Sequence, residues 1–266
     1  MKTKTVTYNN KSINYSSQGS GPAIVFLHGF LESITIWENF MSNLSARFTV
    51  VAIDLPGHGQ SAIWEKEHTM DFMAGIVNTV LEQLNISECL MAGHSMGGYV
   101  TLAFADRFED KLKGIVLLNS HAASDSDEAK QNRTRTINLV KKDRIGFISS
   151  FIPDLFSQAN VGRLSKVIEK HREIAYNTPA EGIIAALKGM KSRNDHRLLL
   201  ENINIPVMII AGKEDKRIPE GMIMTQAGLP RHTELILLAE VGHMAFIEAE
   251  EITLQIIRDF ATRILK

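Results

Sequence analysis

The chain has 266 residues, a length that fits one large domain or two small ones. Its 29 Lys and Arg residues against 30 Asp and Glu residues give a formal net charge of -1, which argues against a general affinity for nucleic acid or an anionic membrane surface. The single cysteine, Cys89, excludes an internal disulfide framework and a cysteine metal cluster, and without an apolar signal segment or membrane-length apolar run we expect a cytoplasmic protein.

The predicted elements begin with a hairpin, with Val6 and Tyr8 in one arm and Ile13 and Tyr15 in the other. Six short apolar runs follow, at residues 23–27, 48–53, 89–92, 114–118, 207–211 and 234–239. Runs nearly continuous in Val, Ile and Leu are typical of parallel strands that are buried on both faces. Helices are predicted between them, at residues 34–46, 70–84, 97–108, 219–228 and 246–264. This alternation predicts a doubly wound α/β domain.

Residues 121–196 interrupt the alternation, because no buried-strand run occurs there. A polar loop leads into helical patterns, and residues 178–181 (TPAE) match a capping box with proline at the first helical position. We therefore predict a helical lid at 121–196, inserted into a core formed by 1–120 and 197–266. The insert has 13 basic and 9 acidic residues, a charge of +4. Solvated helix faces explain this charge, and a mild attraction for anionic substrates is the alternative.

The segment 93–98 (GHSMGG) is the motif that carries chemistry. It follows a predicted strand and precedes a predicted helix, which is the context of the G-x-S-x-G nucleophile elbow. The tight turn projects the serine hydroxyl into a pocket, and Gly93 and Gly97 keep side chains out of the space where the turn closes. Ser95 is therefore the candidate nucleophile.

A serine hydroxyl needs a general base, and the base needs an orienting carboxylate. His243 follows the strand at 234–239, and Asp215 follows the strand at 207–211. Loops after parallel strands meet at one edge of the sheet, the edge that also holds Ser95. The order serine, aspartate, histidine predicts a triad of Ser95, Asp215 and His243, with Glu214 as a rival acid.

An oxyanion hole requires two preorganised N–H donors. We assign one to the backbone of Met96, directly after the nucleophile, and the other to Phe30, in the loop after the strand at 23–27. His28 is interpreted as a brace for that loop. Met96 and Met244 are expected to line the acyl pocket, and His121 is expected to be exposed to solvent.

Five segments of the chain resemble the α/β-hydrolase superfamily, and most of all its small lidded branch of esterases, enol-lactonases and cofactor-free haloperoxidases. They are residues 27–30 (LHGF), 54–61 (DLPGHGQS), 93–98 (GHSMGG), 212–219 (GKEDKRIP) and 241–246 (VGHMAF). The resemblance implies a mostly parallel eight-stranded sheet flanked by helices, a lid after the sixth strand, and the triad and oxyanion roles named above. Serine at the elbow departs from the aspartate of dehalogenases and epoxide hydrolases of this fold. Asn119 stands where some relatives keep the acid, which favours Asp215.

These features lead to three hypotheses about function. The first is a carboxylesterase that cleaves esters, lactones or thioesters of small to medium size through an acyl-enzyme on Ser95, without a metal or organic cofactor. The second is a carbon–carbon bond hydrolase or lyase that resembles the pyruvate-eliminating synthase of menaquinone biosynthesis and acts on an acidic substrate. A small-molecule receptor is the third. The expected partner is a small ester-like molecule, not nucleic acid or a membrane, and the sequence does not decide the oligomeric state.

Overall fold

One eight-stranded sheet forms the centre of the computed structural model, which describes residues 1–265. The strands are β1 (Lys4–Tyr8), β2 (Lys11–Gln18), β3 (Ala23–Leu27), β4 (Thr49–Ile53), β5 (Cys89–His94), β6 (Leu112–Leu118), β7 (Val207–Gly212) and β8 (Thr233–Leu238). Their order across the sheet is β1-β2-β4-β3-β5-β6-β7-β8. The predicted fold class, a mostly parallel α/β-hydrolase sheet, is confirmed.

The first two strands are the antiparallel part of the sheet. β1 and β2 form the predicted hairpin, and β2 then pairs antiparallel with β4. Asn9 and Asn10 both have positive φ, 46° and 59°, as a tight hairpin turn requires. All pairings from β4 to β8 are parallel. Parallel strands end at the same edge, so the loops after β3, β5, β6, β7 and β8 converge there.

Helices cover both faces of the sheet. They are α1 (Glu38–Leu44), α2 (Met70–Gln83), α3 (Met96–Phe108), α4 (Asp127–Phe151), α5 (Gln158–Val161), α6 (Ser165–Tyr176), α7 (Ala180–Lys191), α8 (Arg197–Asn202), α9 (Glu220–Ala227), α10 (Ala245–Glu248) and α11 (Glu250–Ile264). The single helix predicted at 246–264 is in fact two, because the backbone of Ala249 is non-helical between them. No helix within residues 1–265 is long and apolar enough to cross a membrane.

The segment 121–196, called the helical insert below, contains α4 to α7 and lies between β6 and β7. Its longest helix, α4, is interrupted at Asp143, whose carboxylate accepts the N–H of Gly146 at 2.8 Å and so caps the second half. The predicted capping box at residues 178–181 does not form. Pro179 itself occupies the N-cap position of α7, and no side chain caps that helix.

Helix α7 rests directly on the backbone of the core. A Cβ atom at Gly182 would lie 2.3 Å from the carbonyl oxygen of Gly57, and one at Gly189 would lie 1.7 Å from that of His68. The N–H of His68 also donates to the carbonyl of Ala185 at 3.0 Å. Only glycine permits this approach, so the sequence of α7 fixes one side of the insert against the loop before α2.

Candidate active site

Ser95 occupies a strained turn between β5 and α3. Its φ of 50° and ψ of -112° are unusual for a residue with a side chain. A Cβ atom at Gly93 would lie 2.3 Å from the carbonyl oxygen of Gly97, and one at Gly97 would lie 2.4 Å from that of Leu27. The two flanking glycines therefore allow the turn to close, and the Ser95 side chain remains partly exposed at the edge of the sheet.

His243 lies between Ser95 and Asp215. Its Nε2 is 2.9 Å from Ser95 Oγ, and its Nδ1 is 2.7 Å from Asp215 Oδ2. An ionised carboxylate only accepts hydrogen bonds, so the proton of a neutral ring resides on Nδ1. Nε2 is then free to accept the Ser95 hydroxyl proton. The structure thus brings the three residues selected from the sequence within hydrogen-bonding reach of one another.

Asp215 accepts four hydrogen bonds. Besides His243, the donors are the side-chain amide of Asn119 at 3.0 Å and the backbone N–H groups of Arg217 at 2.8 Å and Ile218 at 3.1 Å. Burial alone would raise the pKa of Asp215, but the charge and hydrogen bond of His243 and the bonds from its other donors lower it. The carboxyl group is therefore ionised at neutral pH.

Asn119 has a role that sequence reasoning missed. Its amide nitrogen donates both to Asp215 and to the carbonyl of Gly242, at 3.0 Å each, so it connects the acid to the histidine loop. The sequence signal that could have indicated this role is its position directly after β6, at the edge of the sheet that holds the candidate triad. The rival acid Glu214 does not reach His243. Its carboxylate accepts from the hydroxyl of Ser157 in the insert.

Glu248, at the end of α10, holds the histidine loop to the insert and was also missed. Its buried carboxylate accepts the N–H of Gly242 at 2.9 Å and of Met244 at 3.2 Å, and on the other side the N–H of Ser157 at 2.8 Å. The N–H of His243 donates to the carbonyl of Leu155 at 2.7 Å. The position of His243 therefore depends on the insert as well as the core.

Of the two candidate oxyanion donors, Phe30 lies in the loop after β3 and Met96 is the first residue of α3. The backbone N–H groups of Phe30 and Met96 donate to no acceptor within residues 1–265. His28 lies below the first loop, where its Nδ1 is 2.7 Å from the carbonyl oxygen of Gly29 and its Nε2 accepts the N–H of Leu55 at 2.9 Å. Phe30 and Met96 both remain candidate oxyanion donors, since such a donor must have no acceptor within the protein.

Ser95 and His243 line a cavity of about 690 Å³ between the sheet edge and the insert. Its apolar lining comes from Phe30, Tyr99, Phe147, Phe151, Leu155, Leu187, Met190, Ile218 and Met222. The expectation for Met96 and Met244 is wrong, because both side chains are fully buried in the core and neither lines this cavity. The size is that of a small-molecule site. Within residues 1–265 no group of three His, Cys, Asp or Glu side chains is arranged to hold a metal ion.

His121 lines the cavity and is not the solvent-exposed residue that was expected. The guanidinium of Arg193, which can only donate, lies 3.3 Å from His121 Nε2. Nε2 is therefore the acceptor, and Nδ1 carries the proton. Burial, followed by the charge of Arg193, lowers the pKa of His121 to about 3, so the ring is neutral.

Cationic side chains outnumber anionic ones around the cavity. Arg133 and the buried Arg193 share the carboxylate of Asp125, and Lys216 and Arg217 share that of Asp154. Of the charged side chains that line the cavity, four are cationic (Arg133, Arg197, Lys216 and Arg217) and two are anionic (Asp125 and Asp195), which gives a local charge of +2. The cavity is therefore an electropositive environment for a ligand.

A larger groove of about 890 Å³ lies between α1, α6 and α11. None of the three candidate triad residues lines it. His171 and Phe246, which pack behind the candidate active site, form part of its wall. Ser95 and His243 therefore line the smaller cavity and not this groove.

Residues 22–250 match the sequence profile of the α/β hydrolase fold family. The chain belongs to the α/β hydrolase family. It is 25% identical over 251 residues to (E)-2-((N-methylformamido)methylene)succinate hydrolase of Acinetobacter baylyi, with 91% of each chain covered. These findings support a hydrolytic enzyme.

Solved structures agree on the fold of this α/β hydrolase. A malate-bound thermophilic esterase from Thermogutta terrifontis has a TM-score of 0.94 and 29% identity, with 100% of both chains covered. An enol-lactonase from Burkholderia xenovorans, at 22% identity, superposes with a TM-score of 0.90 over 97% of this chain and all of its own. At 22% identity, the similarity to the enol-lactonase shows the fold alone.

Proposed function

We propose that this α/β hydrolase is a serine hydrolase that cleaves carboxylic esters, lactones or thioesters of small to medium size through an acyl-enzyme on Ser95. The observation that carries the proposal is the continuous chain of hydrogen bonds from Asp215 through His243 to Ser95 Oγ at the wall of the cavity. The similarity to a thermophilic esterase at 29% identity supports the same reaction class.

In the proposed mechanism, Ser95 Oγ attacks the ester carbonyl carbon while His243 Nε2 takes the hydroxyl proton. Asp215 keeps the imidazole in the required tautomer and stabilises its charged form. The N–H groups of Phe30 and Met96 stabilise the negative charge on the carbonyl oxygen. Protonated His243 then gives its proton to the departing alkoxide. Water enters along the same route and hydrolyses the acyl-enzyme.

The helical insert has the position of a lid in this proposal. Phe147 and Phe151 of α4 and Leu187 and Met190 of α7 form apolar walls of the cavity opposite the sheet edge. They provide apolar surface for an acyl or alcohol group and exclude water from the acyl-enzyme. The insert thus determines which esters fit, while the core carries out the chemistry.

Phosphonate labelling tests the proposed nucleophile. A 4-nitrophenyl alkylphosphonate should lose nitrophenolate as Ser95 Oγ forms a bond to phosphorus, and the intact protein should gain the mass of one phosphonyl group. Peptide mapping by mass spectrometry should locate that group on Ser95, and the Ser95→Ala variant should gain no mass. Labelling at another residue, or none in the wild type, would contradict the assignment. A panel of esters, lactones, thioesters and vinylogous diketones then defines the preferred bond.

A second candidate is a hydrolase or lyase that breaks a carbon–carbon bond of an acidic substrate, and the charge of the cavity supports the acidic substrate. Its support is the local charge of +2, to which Arg217 contributes from a position 4.7 Å above the Phe151 ring. The names of two similar proteins mention a succinate derivative and bound malate. Of the arginines in α4, Arg133 lines the cavity, whereas Arg135 is exposed outside it.

Two esters with equal acyl chain length test this charge preference. We expect a higher kcat/KM for mono-4-nitrophenyl adipate, which ends in a carboxylate, than for 4-nitrophenyl hexanoate. Arg217→Gln should lower kcat/KM for the adipate ester about tenfold, a loss of about 1.4 kcal/mol, and leave the hexanoate rate nearly unchanged. Arg135→Gln is the matched control and should alter neither rate. An equal effect of Arg217→Gln on both esters would refute an anionic subsite at this position.

A further inference from the structure

Glu32 and His94 form a buried contact directly behind the candidate active site. Glu32 comes two residues after Phe30, His94 comes one residue before Ser95, and each side chain is only 1% exposed. Glu32 Oε2 accepts the N–H of Gly29 at 2.5 Å and lies 3.1 Å from His94 Nδ1. The other ring nitrogen of His94, Nε2, lies 2.9 Å from the carbonyl oxygen of His243.

The partners of His94 determine its protonation state. A main-chain carbonyl only accepts hydrogen bonds, and an ionised carboxylate does the same. Both ring nitrogens therefore donate, which makes His94 an imidazolium paired with the Glu32 carboxylate. Burial alone would raise the pKa of Glu32, but the charge and hydrogen bond of His94, together with the nearby ring of His171, lower it. Burial alone would lower the pKa of His94, but Glu32, followed by the carbonyl of His243 and the charge of Asp215, raises it. We call these two residues the Glu32–His94 pair.

Five other titratable groups surround the Glu32–His94 pair. One is His58, in the loop after β4, on which the charge of Glu32 acts. His28 lies on the same loop as Glu32, and the candidate triad contributes Asp215 and His243, whose ring centroid is 5.1 Å from that of His94. From the insert, His171 Nε2 of α6 lies 3.6 Å from Glu32 Oε1, too far for a hydrogen bond. Asp215 and Glu32 are the two carboxylates that stabilise the charge on His94.

We propose that Glu32 is a positioning residue for the ester hydrolysis proposed above, and that it acts through His94 to fix the loop after β3, the end of β5 and the loop after β8 relative to one another. One carboxylate connects the Gly29 backbone, next to the oxyanion donor Phe30, to the residue before the nucleophile. Through His94 it also reaches the main chain of the general base, His243. The inference depends on the proposed function, because positioning is defined by the reaction.

The backbone of Gly29 packs tightly against the Glu32–His94 pair. A Cβ atom there would lie 2.6 Å from His94 Nδ1 and 2.9 Å from Glu32 Oε2, so the loop backbone rests on the pair itself. Glutamine at position 32 cannot replace the carboxylate. With its oxygen at the place of Oε2, a charged His94 loses its buried counter-ion. With its NH₂ group there, the N–H of Gly29 is left buried without an acceptor.

Side-chain ¹⁵N NMR of the wild-type protein tests the pair without any substrate. We expect His94 to show two protonated ring nitrogens at pH 8, well above the ordinary histidine pKa of about 6.5. The His94→Asn variant, which should lack this signal, provides the assignment. A singly protonated His94 at pH 8 would overturn the proposal. This readout does not require turnover, so it separates failure of the pair from failure of the proposed function.

Kinetics test whether the pair positions the reacting groups. We expect Glu32→Gln to lower kcat roughly 100-fold with little change in KM, the effect of misplacing a catalytic group by about 1 Å. Glu32→Asp keeps the charge and should retain a doubly protonated His94 and an intermediate kcat, which a merely space-filling role would not produce. Glu38→Gln, at an exposed carboxylate on α1, is the control and should leave kcat unchanged.

The NMR and kinetic measurements together decide whether Glu32 is a positioning residue. An unchanged kcat in Glu32→Gln, with a normal melting temperature, would refute the positioning role. If Glu32→Gln does not fold, Glu32→Asp and the wild-type NMR spectrum decide the question. If the wild type hydrolyses no ester, the proposed function fails, whereas the NMR spectrum still decides whether the ion pair exists.

Discussion

Replacing Ser95 by alanine should lower kcat for a short-chain 4-nitrophenyl ester by roughly 10⁴- to 10⁶-fold. The substitution removes the Oγ atom that lies 2.9 Å from His243 Nε2, so no acyl-enzyme forms. The N–H groups of Phe30 and Met96 and the walls of the cavity remain, so KM should change little. Initial rates and a phosphonate-labelling time course measure the loss.

Ser150→Ala is the matched control for this variant, because Ser150 is an exposed serine of α4 that does not line the cavity. It should retain full activity. Circular dichroism and the melting temperature should show that Ser95→Ala keeps the fold. Alanine at 95 also removes no contact that holds the sheet together. A Ser95→Ala protein with more than about one hundredth of the wild-type rate would refute acyl transfer to this serine.

Asp215→Asn should have the second-largest effect, a fall in kcat of roughly 10⁴-fold. The carboxylate accepts from His243 and Asn119 on one oxygen and from the N–H groups of Arg217 and Ile218 on the other. An asparagine has only one oxygen. If that oxygen serves the backbone donors, its NH₂ group faces His243, the ring proton moves to Nε2, and the ring no longer accepts the Ser95 proton.

Glu214→Gln is the matched control, because it neutralises the adjacent carboxylate without touching His243. It should leave kcat nearly unchanged. The Asp215→Asn protein should keep KM and should bind a non-reactive ester analogue as well as the wild type does, because the cavity walls are intact. Equal losses in the two variants, or the larger loss in Glu214→Gln, would reassign the orienting acid.

The fold class could be predicted because its signals are local. Strands buried on both faces are continuous apolar runs, and the turn at Ser95 requires glycines on either side. Asp215 and His243 could be selected because each follows a strand of a parallel sheet, and such loops meet at one edge whatever the detailed packing. The break at Ala249 was missed because the helical period of the apolar residues continues across it.

The supporting residues could not be predicted, because their partners are distant in sequence. Glu32 meets His94 across 62 positions, and Glu248 meets Ser157 across 91. The periodicity of apolar residues along the chain does not indicate such a contact, and no local sequence pattern marks a carboxylate as buried. The residues that line the cavity were predicted wrongly for a related reason. His121 is polar and follows a strand, yet it lines the cavity, where the guanidinium of Arg193 donates to its ring.

The glycines of α7 have a consequence for engineering this scaffold. Because Gly182 and Gly189 touch the main chain of the core, any side chain introduced there would force two backbones apart. Combinatorial libraries that aim at new substrate ranges should therefore keep glycine at these two positions of α7. They can vary α4, where Asn132 and Thr136 line the cavity and neither is tied to the main chain of the core by a glycine contact.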